Sequence, residues 1–559
     1  MINVLEYLEK TLERMSNTNK VAFTGQAGSS GAAGQGDGSS VLSFKELSDQ
    51  SRAIGSYLAS KNIRKQPVAV FMRKSPAMIA AFLGVVYGGN YYIPLDSEMP
   101  AFRIRLILEA VNPPLIICDD VTGGRFDRRG RYDFVNFSKT QAFPKCLNKV
   151  DKIVPSPSVT SPCHTVNINE ICDHTVDEEA LAEIRSNAID TDPLYVVFTS
   201  GSTGVPKGVV ATHRSVIDYI ENLSIVLGVT ENTVFGNQSP LYLDACLKEV
   251  YTTLKFGSSA FLIPPSLFMF PVKLIEYLNN NGINTICWVA SALSLVAGLG
   301  ALKAAVPKTL HTIAFGSEVF PIKHYNQWRE LLPDAKFIHL YGPTEATGMS
   351  CFYEADRTYK EDESIPIGHP FPNTEIILID DNGCIPLPGE PGEICIRGTC
   401  LSPGYFADAE KTAAVFVQNP LSAFPDLIYK TGDLGRRGAD GELYYISRRD
   451  HQIKHMGYRI ELAEIELVAN GCDSVGLACA VFDNDESKIV MYYVAPEMHG
   501  DSVEQEGGTA VRSYLKANLP RYMLPHSIIQ LDELPRTPGG KLDRVSLLAN
   551  YKAQSTKHK

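Results

Sequence analysis

Residues 194–208, LYVVFTSGSTGVPKG, decide how the rest of this chain is interpreted. The opening LYVVF is β-branched and aromatic, which predicts a short buried strand. Residues 211–223, ATHRSVIDYIENL, carry apolar side chains at helical spacing. We therefore predict that residues 199–208 form a loop between a strand and a helix.

The glycines, hydroxyls and lysine of this loop predict a polyphosphate site. Glycines let the backbone approach a phosphate closely, hydroxyl groups can donate to its oxygens, and Lys207 adds positive charge. A Walker A loop has Ser or Thr directly after its lysine, whereas here Pro206 precedes Lys207 and Gly208 follows it. A P-loop NTPase is therefore disfavoured, and a plain surface turn is the remaining alternative. The predicted phosphate-binding residues are Thr199, Ser200, Gly201, Ser202, Thr203, Gly204 and Lys207.

Strand-like and helix-like segments alternate on both sides of this loop. Residues 44–58 repeat apolar side chains at helical spacing, residues 67–72 (PVAVFM) predict a buried strand, and residues 76–95 predict a helix that runs into another strand. The alternation continues to about Gly441. It is typical of an α/β domain with a mainly parallel sheet.

Two stretches depart from the alternation. Residues 25–40 are rich in Gly, Ser and Ala, and they predict a flexible loop because they offer little apolar surface to bury. Residues 120–190 are rich in Pro, Ser, Asn and Asp with weak periodicity, and they predict a surface insertion.

Beyond Asp450 the pattern changes to that of a compact α+β unit. It predicts a helix, two strands and a second helix, followed by a polar tail; the segments are residues 460–470, 476–482, 489–495 and 511–519. The charged stretch SRRDHQ separates the two patterns. We therefore predict a large domain of residues 1–449 and a small domain of residues 450–559.

Composition excludes several classes of function. A chain of 559 residues is too long for one core, which agrees with two domains. The formal net charge of −11 argues against a nucleic-acid or anionic-membrane partner. The 12 cysteines are dispersed and show no zinc or disulfide spacing. Without a signal-like segment or a long apolar run, the sequence predicts a cytoplasmic protein with no membrane insertion.

The phosphate loop resembles the signature loop of the adenylate-forming (ANL) superfamily, which contains acyl-CoA synthetases, luciferases and the adenylation domains of nonribosomal peptide synthetases. Seven further segments resemble the other motifs of that superfamily in the expected order: FKELSDQSRAIGSYL, GGNYYIPLD, YGPTEAT, GEICIRGTCLSPGYF, YKTGDLGRR, RRDHQIKHMGYRIELAEIE and GGKLDR. The resemblance implies a large N-terminal domain of layered sheets and helices and a small mobile C-terminal domain. It also implies ATP- and Mg²⁺-dependent activation of a carboxylic acid, and the motifs are closest to the amino-acid-activating branch.

The resemblance assigns nucleotide-site roles to five residues. Glu345 corresponds to the Mg²⁺-binding carboxylate, Tyr341 to the aromatic residue beside adenine, and Thr344 to a phosphate contact. Asp433 corresponds to the carboxylate that accepts both ribose hydroxyls, and Arg448 to a second ribose or phosphate contact.

Residues of the small domain also receive roles. Lys541 in GGKLDR corresponds to the catalytic lysine that reaches the substrate carboxylate and the α-phosphate. Asp450 corresponds to the hinge residue, and Gly457 would line the channel for a pantetheine arm. Ser447 stands where a Gly usually precedes the Arg, which leaves the local turn geometry open.

The resemblance also predicts the class of acid. Asp244 in LYLDACLKEVY stands where the amino-acid branch carries the partner of the substrate ammonium, although it could instead be a helix-capping residue. The bulky ring of Phe315 beside Leu340 favours glycine first and alanine second. Lys248 is awkward in a small pocket unless it pairs with a carboxylate such as Glu249 or points away. The predicted pocket residues are Ala245, Cys287 (or its neighbour Trp288), Ile313, Phe315, Gly316, Leu340, Gly348 and Met349.

The predicted acceptor is a phosphopantetheine thiol on a separate carrier protein. No LGGxS-type attachment site and no HHxxxDG-type condensation motif occurs in the sequence, so a free-standing ligase is expected. Its layout is similar to that of the D-alanine–carrier protein and glycine–carrier protein ligases. The main alternative is an acyl-CoA synthetase acting on a small carboxylic acid, and a non-catalytic interaction protein is a second one.

Overall fold

The computed structural model describes residues 1–26, 39–125, 164–201, 206–496, 507–536 and 542–557. The helices in these ranges are α1 (Leu5–Arg14), α2 (Phe44–Ser60), α3 (Pro76–Tyr87), α4 (Ala101–Val111), α5 (Asp120–Gly123), α6 (Ile168–Ile171), α7 (Glu178–Ser186), α8 (His213–Leu227), α9 (Leu247–Phe256), α10 (Pro271–Asn280), α11 (Ala290–Gly298), α12 (Ala301–Ala304), α13 (Ile322–Leu331), α14 (Ala409–Val415), α15 (Leu462–Ala469), α16 (Gly507–Asn518) and α17 (Arg544–Lys557).

The strands of the first half of the chain are β1 (Val21–Gln26), β2 (Ser39–Ser43), β3 (Pro67–Met72), β4 (Tyr91–Asp96), β5 (Leu115–Cys118), β6 (His164–Asn167), β7 (Pro193–Thr199), β8 (Lys207–Thr212), β9 (Val234–Asn237), β10 (Ser259–Leu262) and β11 (Thr285–Val289). Those of the second half are β12 (Thr312–Gly316), β13 (Lys336–Tyr341), β14 (Cys351–Glu354), β15 (His369–Pro370), β16 (Thr374–Ile379), β17 (Gly392–Gly398), β18 (Phe416–Gln418), β19 (Leu427–Arg437), β20 (Leu443–Arg448), β21 (Gln452–His455), β22 (Tyr458–Glu461), β23 (Leu477–Asp483), β24 (Lys488–Val494) and β25 (Ser527–Gln530).

A six-stranded sheet carries the phosphate loop. Its strand order is β6-β5-β3-β4-β7-β8, and all neighbours are parallel except β7 and β8. The loop therefore joins two antiparallel strands, and α8 begins only after β8, where the Thr212 side chain caps its N-terminus. The prediction of a strand-to-helix loop is wrong because the short β-branched run GVVAT extends the sheet before the helical pattern starts.

Two predicted irregular stretches contribute strands. The ends of the 25–40 tract pair antiparallel, with Gln26 opposite Ser39, and residues 27–38 lie outside the described part. In the 120–190 stretch, β6 extends the six-stranded sheet beside β5, and the apolar side chains of α7 are buried. This part of the predicted insertion belongs to the domain core, because short segments gain their stability from packing more than from their own periodicity.

A nine-stranded sheet forms the second layer of the large domain. Its order is β15-β14-β13-β12-β11-β9-β10-β1-β2, with parallel pairing from β13 through to β1. Apolar side chains from both sheets and from α2, α3, α8 and α9 share the largest buried cluster. The carboxyl ends of β11, β12 and β13 meet at one edge, which is the usual place for a ligand site in a parallel sheet.

A third sheet is mainly antiparallel and has five strands, β16 to β20. The predicted α/β alternation up to Gly441 is therefore wrong for this region, where α14 is the one helix described between β16 and β20. Strands β19 and β20 pair so that Asp433 lies opposite Arg448. Ser447 takes part in the same pairing, opposite Leu434, and the register shifts between Leu434 and Gly435.

The C-terminal part contains a hairpin, β21 with β22, and a three-stranded sheet, β23-β24-β25. Ile460 of the hairpin is fully buried in the same apolar cluster as Val468 and Met491, so the hairpin packs with this small domain. The predicted polar tail contains β25 and α17, in which Leu547 and Tyr551 are buried. Among the helices that the structure describes, none is long and apolar enough to cross a membrane.

Candidate active site

The phosphate loop begins at the carboxyl end of β7. The Thr199 hydroxyl is buried and has no hydrogen-bond partner among the described residues. The Ser200 hydroxyl donates to the main-chain oxygen of Arg459 at 2.6 Å, and the Gly201 N–H donates to the Glu464 carboxylate. Ser202, Thr203 and Gly204 lie outside the described residues.

Glu345 is the centre of the site. It lies in a short 3₁₀ turn, Thr344–Ala346, directly beyond β13, and its side chain is fully buried. Oxygen Oε1 accepts hydrogen bonds from the Tyr405 hydroxyl at 2.7 Å and from Lys207 Nζ at 3.2 Å. Oxygen Oε2 accepts one from Arg459 at 2.7 Å. Burial alone would raise the pKa of Glu345, but the charges of Arg459 and Lys207 outweigh it and hold the pKa well below its ordinary value.

This environment fits a Mg²⁺ ligand. Glu345 is an ionised hard-oxygen donor at neutral pH, and Mg²⁺ is usually held by one or two carboxylates together with substrate phosphates. Lys207 and the Tyr405 hydroxyl bind the same oxygen of Glu345 and lie 3.1 Å apart. The side chain of Lys207 is mostly buried. Burial, reinforced by the charge of Arg459, lowers the pKa of Lys207.

A second buried carboxylate, Asp433, lies at the nucleotide end of the site. Arg448 binds its Oδ1 at 2.5 Å, and the Tyr341 hydroxyl donates to its Oδ2 at 2.7 Å. The ammonium of Lys454 lies 3.9 Å from Oδ2 and 5.2 Å from the centroid of the Tyr341 ring. The preceding Gly432 has φ +74°, and a Cβ there would come within 2.9 Å of the Arg448 guanidinium. Asp433 thus faces a ring and two cations, a setting suited to a ribose beside an aromatic base.

Asp450, the predicted hinge, is attached to the same guanidinium. Arg448 Nε and Nη2 bind the two Asp450 oxygens at 2.8 and 2.9 Å. Burial raises the pKa of Asp450, but the hydrogen bonds and charge of Arg448 outweigh it and lower the pKa. Rotation of the small domain about Asp450 stays a prediction.

Asp244 lies in the 3₁₀ turn Asp244–Cys246, immediately before α9. Burial raises its pKa, and a hydrogen bond from Thr344 together with the charge of Lys248 acts in the opposite direction. Lys248 is 4% exposed and also lowers the pKa of Glu249, which burial raises to about 7. The charge of the buried lysine therefore acts on both carboxylates.

A small cavity lies at the carboxyl ends of β11 and β12, and Ala245, the residue after Asp244, contributes to its lining. The space that a water-sized sphere can occupy is about 10 Å³. Its lining includes six of the predicted pocket residues, namely Ala245, Cys287, Phe315, Gly316, Leu340 and Met349. The other residues of the lining are Ser239, Lys248, Trp288, Val289, Ala314 and Ser317, so both positions considered for Cys287 contribute.

Two predicted pocket residues lie elsewhere. Ile313 is fully buried in the apolar core, and its neighbour Ala314, which pairs with Cys287, lines the cavity instead. Phe315 shares the strand face and the apolar cluster of Ile313 but contributes to the lining, because it lies nearer the carboxyl end of β12. Gly348 has φ +87° and lies against the ring of Tyr219, outside the cavity lining. Lys541 lies outside the described residues.

Sequence reasoning did not assign Tyr405, Arg459 or Lys454, although all three lie within quoted motifs. Tyr405 follows a Gly in GEICIRGTCLSPGYF, and the other two flank the hairpin turn in KHMGYRIE. A tyrosine or a basic residue in a loop gives no sign of its partner when the partner is distant in sequence. Tyr405 and Glu345 are 60 residues apart, and Arg459 and Glu345 are 114 apart.

His339 beneath the pocket wall predicts a pH dependence of stability. Burial lowers its pKa from 6.5 to about 4, and Nδ1 lies 2.7 Å from the Pro366 carbonyl oxygen. Between these values the unfolded chain binds more protons, so stability falls as pH falls below about 6.5. The free energy of unfolding should fall between about pH 7.5 and pH 5, and we expect His339→Gln to make this fall smaller by about 2 kcal/mol.

Thermal unfolding of both proteins across this pH range measures the effect. The exposed His451→Gln is the matched control and should keep the wild-type slope. An unchanged slope in His339→Gln would show that His339 is not held neutral in the fold. Burial also lowers the pKa of His213 to about 4, so a residual slope is expected in the variant.

Comparison with known proteins agrees with this geometry. Residues 13–406 match the AMP-binding enzyme family, and residues 464–541 match the AMP-binding enzyme C-terminal domain. The site and fold thus define an adenylate-forming enzyme, and the chain belongs to the AMP-binding enzyme family. Members of this family use ATP with Mg²⁺.

The chain is similar to peptide synthases, and it spans only 9% to 20% of the length of several of them. A dimodular nonribosomal peptide synthase of Bacillus subtilis (strain 168) is 31% identical over 518 residues, which is 91% of this chain but only 20% of that protein. Zwittermicin A synthase ZmaJ of Bacillus cereus is 29% identical over 518 residues, covering 91% of this chain and 90% of that protein.

The fold is shared with holo-PA1221, an NRPS protein containing adenylation and PCP domains bound to a vinylsulfonamide inhibitor. The TM-score is 0.73 at 22% identity, covering 98% of this chain and 84% of that one.

Proposed function

We propose that this enzyme activates a small amino acid, glycine first and alanine second, as its aminoacyl adenylate, and then transfers the aminoacyl group to the phosphopantetheine thiol of a carrier protein. The observation that carries the proposal is the mostly buried carboxylate of Asp244 beside a cavity of about 10 Å³. The PCP domain of the structurally similar PA1221 supports the choice of acceptor.

Asp244 favours an amino acid over a simple carboxylic acid. The charges of Lys248 and Lys74 both act on Glu249, so the negative charge of Asp244 is proposed to serve the ammonium of the substrate. A fatty or aryl acid would leave that charge buried without a partner, which is costly. Thr344 hydrogen-bonds Asp244 and follows β13, so the ammonium site and the phosphate site share this turn.

The size of the cavity limits the side chain of the substrate. A space of about 10 Å³ is close to the minimum for one water molecule, so the cavity favours the side chain of glycine or alanine over a larger one. The ring of Phe315 cannot easily move aside, because it stacks on His339 at 5.0 Å and contacts Phe320 at 5.1 Å between ring centroids.

In the first half-reaction, an oxygen of the amino acid carboxylate bonds to the α-phosphorus of ATP, and the bond to pyrophosphate breaks. Lys207 and the predicted catalytic Lys541 would neutralise the charge that develops on the phosphates. The Mg²⁺ held by Glu345 would supply further charge neutralisation when bound. Tyr341, Asp433 and Arg448 would hold the nucleoside, and Thr199 and Ser200 would contact phosphates.

In the second half-reaction, the pantetheine sulfur bonds to the carbonyl carbon and AMP leaves with the bonding electrons. Gly457 is proposed to line the route of the pantetheine arm. A Cβ at this position would come within 2.5 Å of Val289, a residue of the cavity lining, so a bare backbone is needed here. Because the first half-reaction consumes ATP, we expect the enzyme to work in the cytoplasm.

The test is amino-acid-dependent ATP–pyrophosphate exchange across the proteinogenic amino acids and D-alanine. We expect glycine to give the largest signal and alanine the second, because larger side chains do not fit the cavity. Greater exchange with leucine or phenylalanine would contradict the size argument. Exchange with acetate or fatty acids and none with any amino acid would identify an acyl-CoA synthetase instead.

A further inference from the structure

The hairpin formed by β21 and β22 places one of its side chains in the active site of the large domain. Arg459 donates to Glu345 Oε2 at 2.7 Å, and its side chain is only 16% exposed. Its main-chain oxygen accepts the hydrogen bond from Ser200 at 2.6 Å. The hairpin therefore engages both the carboxylate and the start of the phosphate loop through one residue.

Other contacts fix the hairpin in this position. The Gly457 N–H donates to Glu318 Oε1 at 2.8 Å, while Oε2 of the same carboxylate accepts from Ser291 at the start of α11. The Tyr458 hydroxyl lies 3.1 Å from that of Tyr242 in the large domain. The orientation of the small domain seen here is thus one defined arrangement, in which Arg459 is held against Glu345.

A guanidinium in this place excludes a metal ion. Mg²⁺ binds carboxylate oxygens at about 2.0–2.1 Å and keeps further oxygen ligands around it. Arg459 lies against the Oε2 oxygen that is not already taken by Lys207 and Tyr405, so both the space and the charge are occupied. Conversely, Glu345 is fully buried and would be costly to leave with Lys207 as its only cation. The carboxylate therefore needs a second cation, either Mg²⁺ or Arg459.

We propose that Arg459 and Mg²⁺ compete for Glu345, and that this competition links the orientation of the small domain to the content of the nucleotide site. When the magnesium nucleotide enters, Arg459 and its hairpin must withdraw. When magnesium pyrophosphate leaves, Arg459 returns to Glu345 and brings Gly457 back against the large domain. Arg459 is then a positioning residue for the transfer step. The proposal rests on the adenylation function, but not on which acid is activated.

Affinity for a magnesium nucleotide tests the competition directly. The probe is the magnesium complex of α,β-methylene ATP, which cannot be cleaved at the reacting bond, measured by calorimetry without any amino acid. We expect Arg459→Gln to bind this complex about tenfold more tightly than the wild type, because no internal cation has to be displaced. Arg459→Lys keeps the charge and should stay close to the wild-type affinity.

Hydrogen–deuterium exchange of residues 452–461 provides the second readout. In the wild type, these amides should exchange about tenfold faster once the magnesium complex is added. In Arg459→Gln they should already exchange fast without ligand. Arg521→Gln, an exposed change in the small domain, is the matched control and should behave as the wild type in both measurements.

Either of two results would overturn the proposal. One is equal or weaker binding of the magnesium complex by a folded Arg459→Gln, and the other is hairpin protection that the complex leaves unchanged in the wild type. Thermal unfolding of each variant identifies any that fails to fold, and Arg459→Lys then still tests the role of the charge. No amino acid or carrier is present in these measurements, so failure of the glycine assignment would leave them unaffected.

Discussion

Replacing Glu345 by Gln is expected to reduce glycine-dependent ATP–pyrophosphate exchange by about 10²- to 10³-fold. Glutamine has nearly the same shape, so the hydrogen bonds from Tyr405 and Lys207 to one oxygen can remain. The variant loses the negative charge that both Mg²⁺ and Arg459 require. We therefore expect a loss in the charge-dependent step together with some loss of stability, because Lys207 and Arg459 lose their anionic partner.

Initial rates of exchange at saturating glycine, measured over a range of Mg²⁺ concentrations, give the result. Glu361→Gln is a matched control on an exposed loop and should keep wild-type rates. If Glu345→Gln retained more than about a tenth of the wild-type rate at low Mg²⁺, Glu345 could not be the metal ligand.

Asp244→Asn should reduce the activity with the amino acid substrate by a similar factor. Removing one partner of a buried ion pair leaves the other charge uncompensated, which corresponds to a loss of about 10²- to 10³-fold in kcat/KM for glycine. The loss should appear mainly in the KM for glycine, with the KM for ATP nearly unchanged, because Asp244 lies at the amino acid end of the site and Asp433 at the nucleotide end.

Steady-state exchange kinetics with glycine and ATP varied in turn separate the two KM values. The exposed Asp334→Asn serves as the control for a surface loss of charge. Should Asp244→Asn raise the KM for ATP instead, or leave glycine kinetics intact, Asp244 would be a capping residue and the ammonium partner would have to be sought elsewhere.

Local patterns in the sequence predicted the elements whose apolar periodicity is strong. The predicted helix at residues 44–58 corresponds to α2, and PVAVFM corresponds to β3 without a change of boundary. The strand β8 was missed because six residues between a proline-containing loop and a strong helix pattern give too short a signal. Likewise, β6 is stabilised by its pairing with β5, which residues 164–167 cannot reveal by themselves.

Motif resemblance located the candidate site better than it located individual side chains. Glu345, Asp433 and Tyr341 lie beside other residues that the motifs had assigned to the site, because each follows or lies within a strand of the site. Ile313 lies in the apolar core, and the next residue along β12, Ala314, contributes to the cavity lining instead. Arg459 could not be assigned at all, because its partner lies in the other domain and no local pattern encodes that contact.

The pairing of β19 with β20 has a further consequence for how this enzyme can change over evolution. The guanidinium of Arg448 donates to Asp433 with one nitrogen and to Asp450 with the other two. The sugar-recognising carboxylate and the predicted pivot are therefore anchored to the same group. A substitution here that changed the proposed nucleotide recognition would also alter the predicted hinge, so we expect the two traits to change together. Substrate preference is free of this constraint, because the amino acid cavity is built from other strands and can diversify by itself.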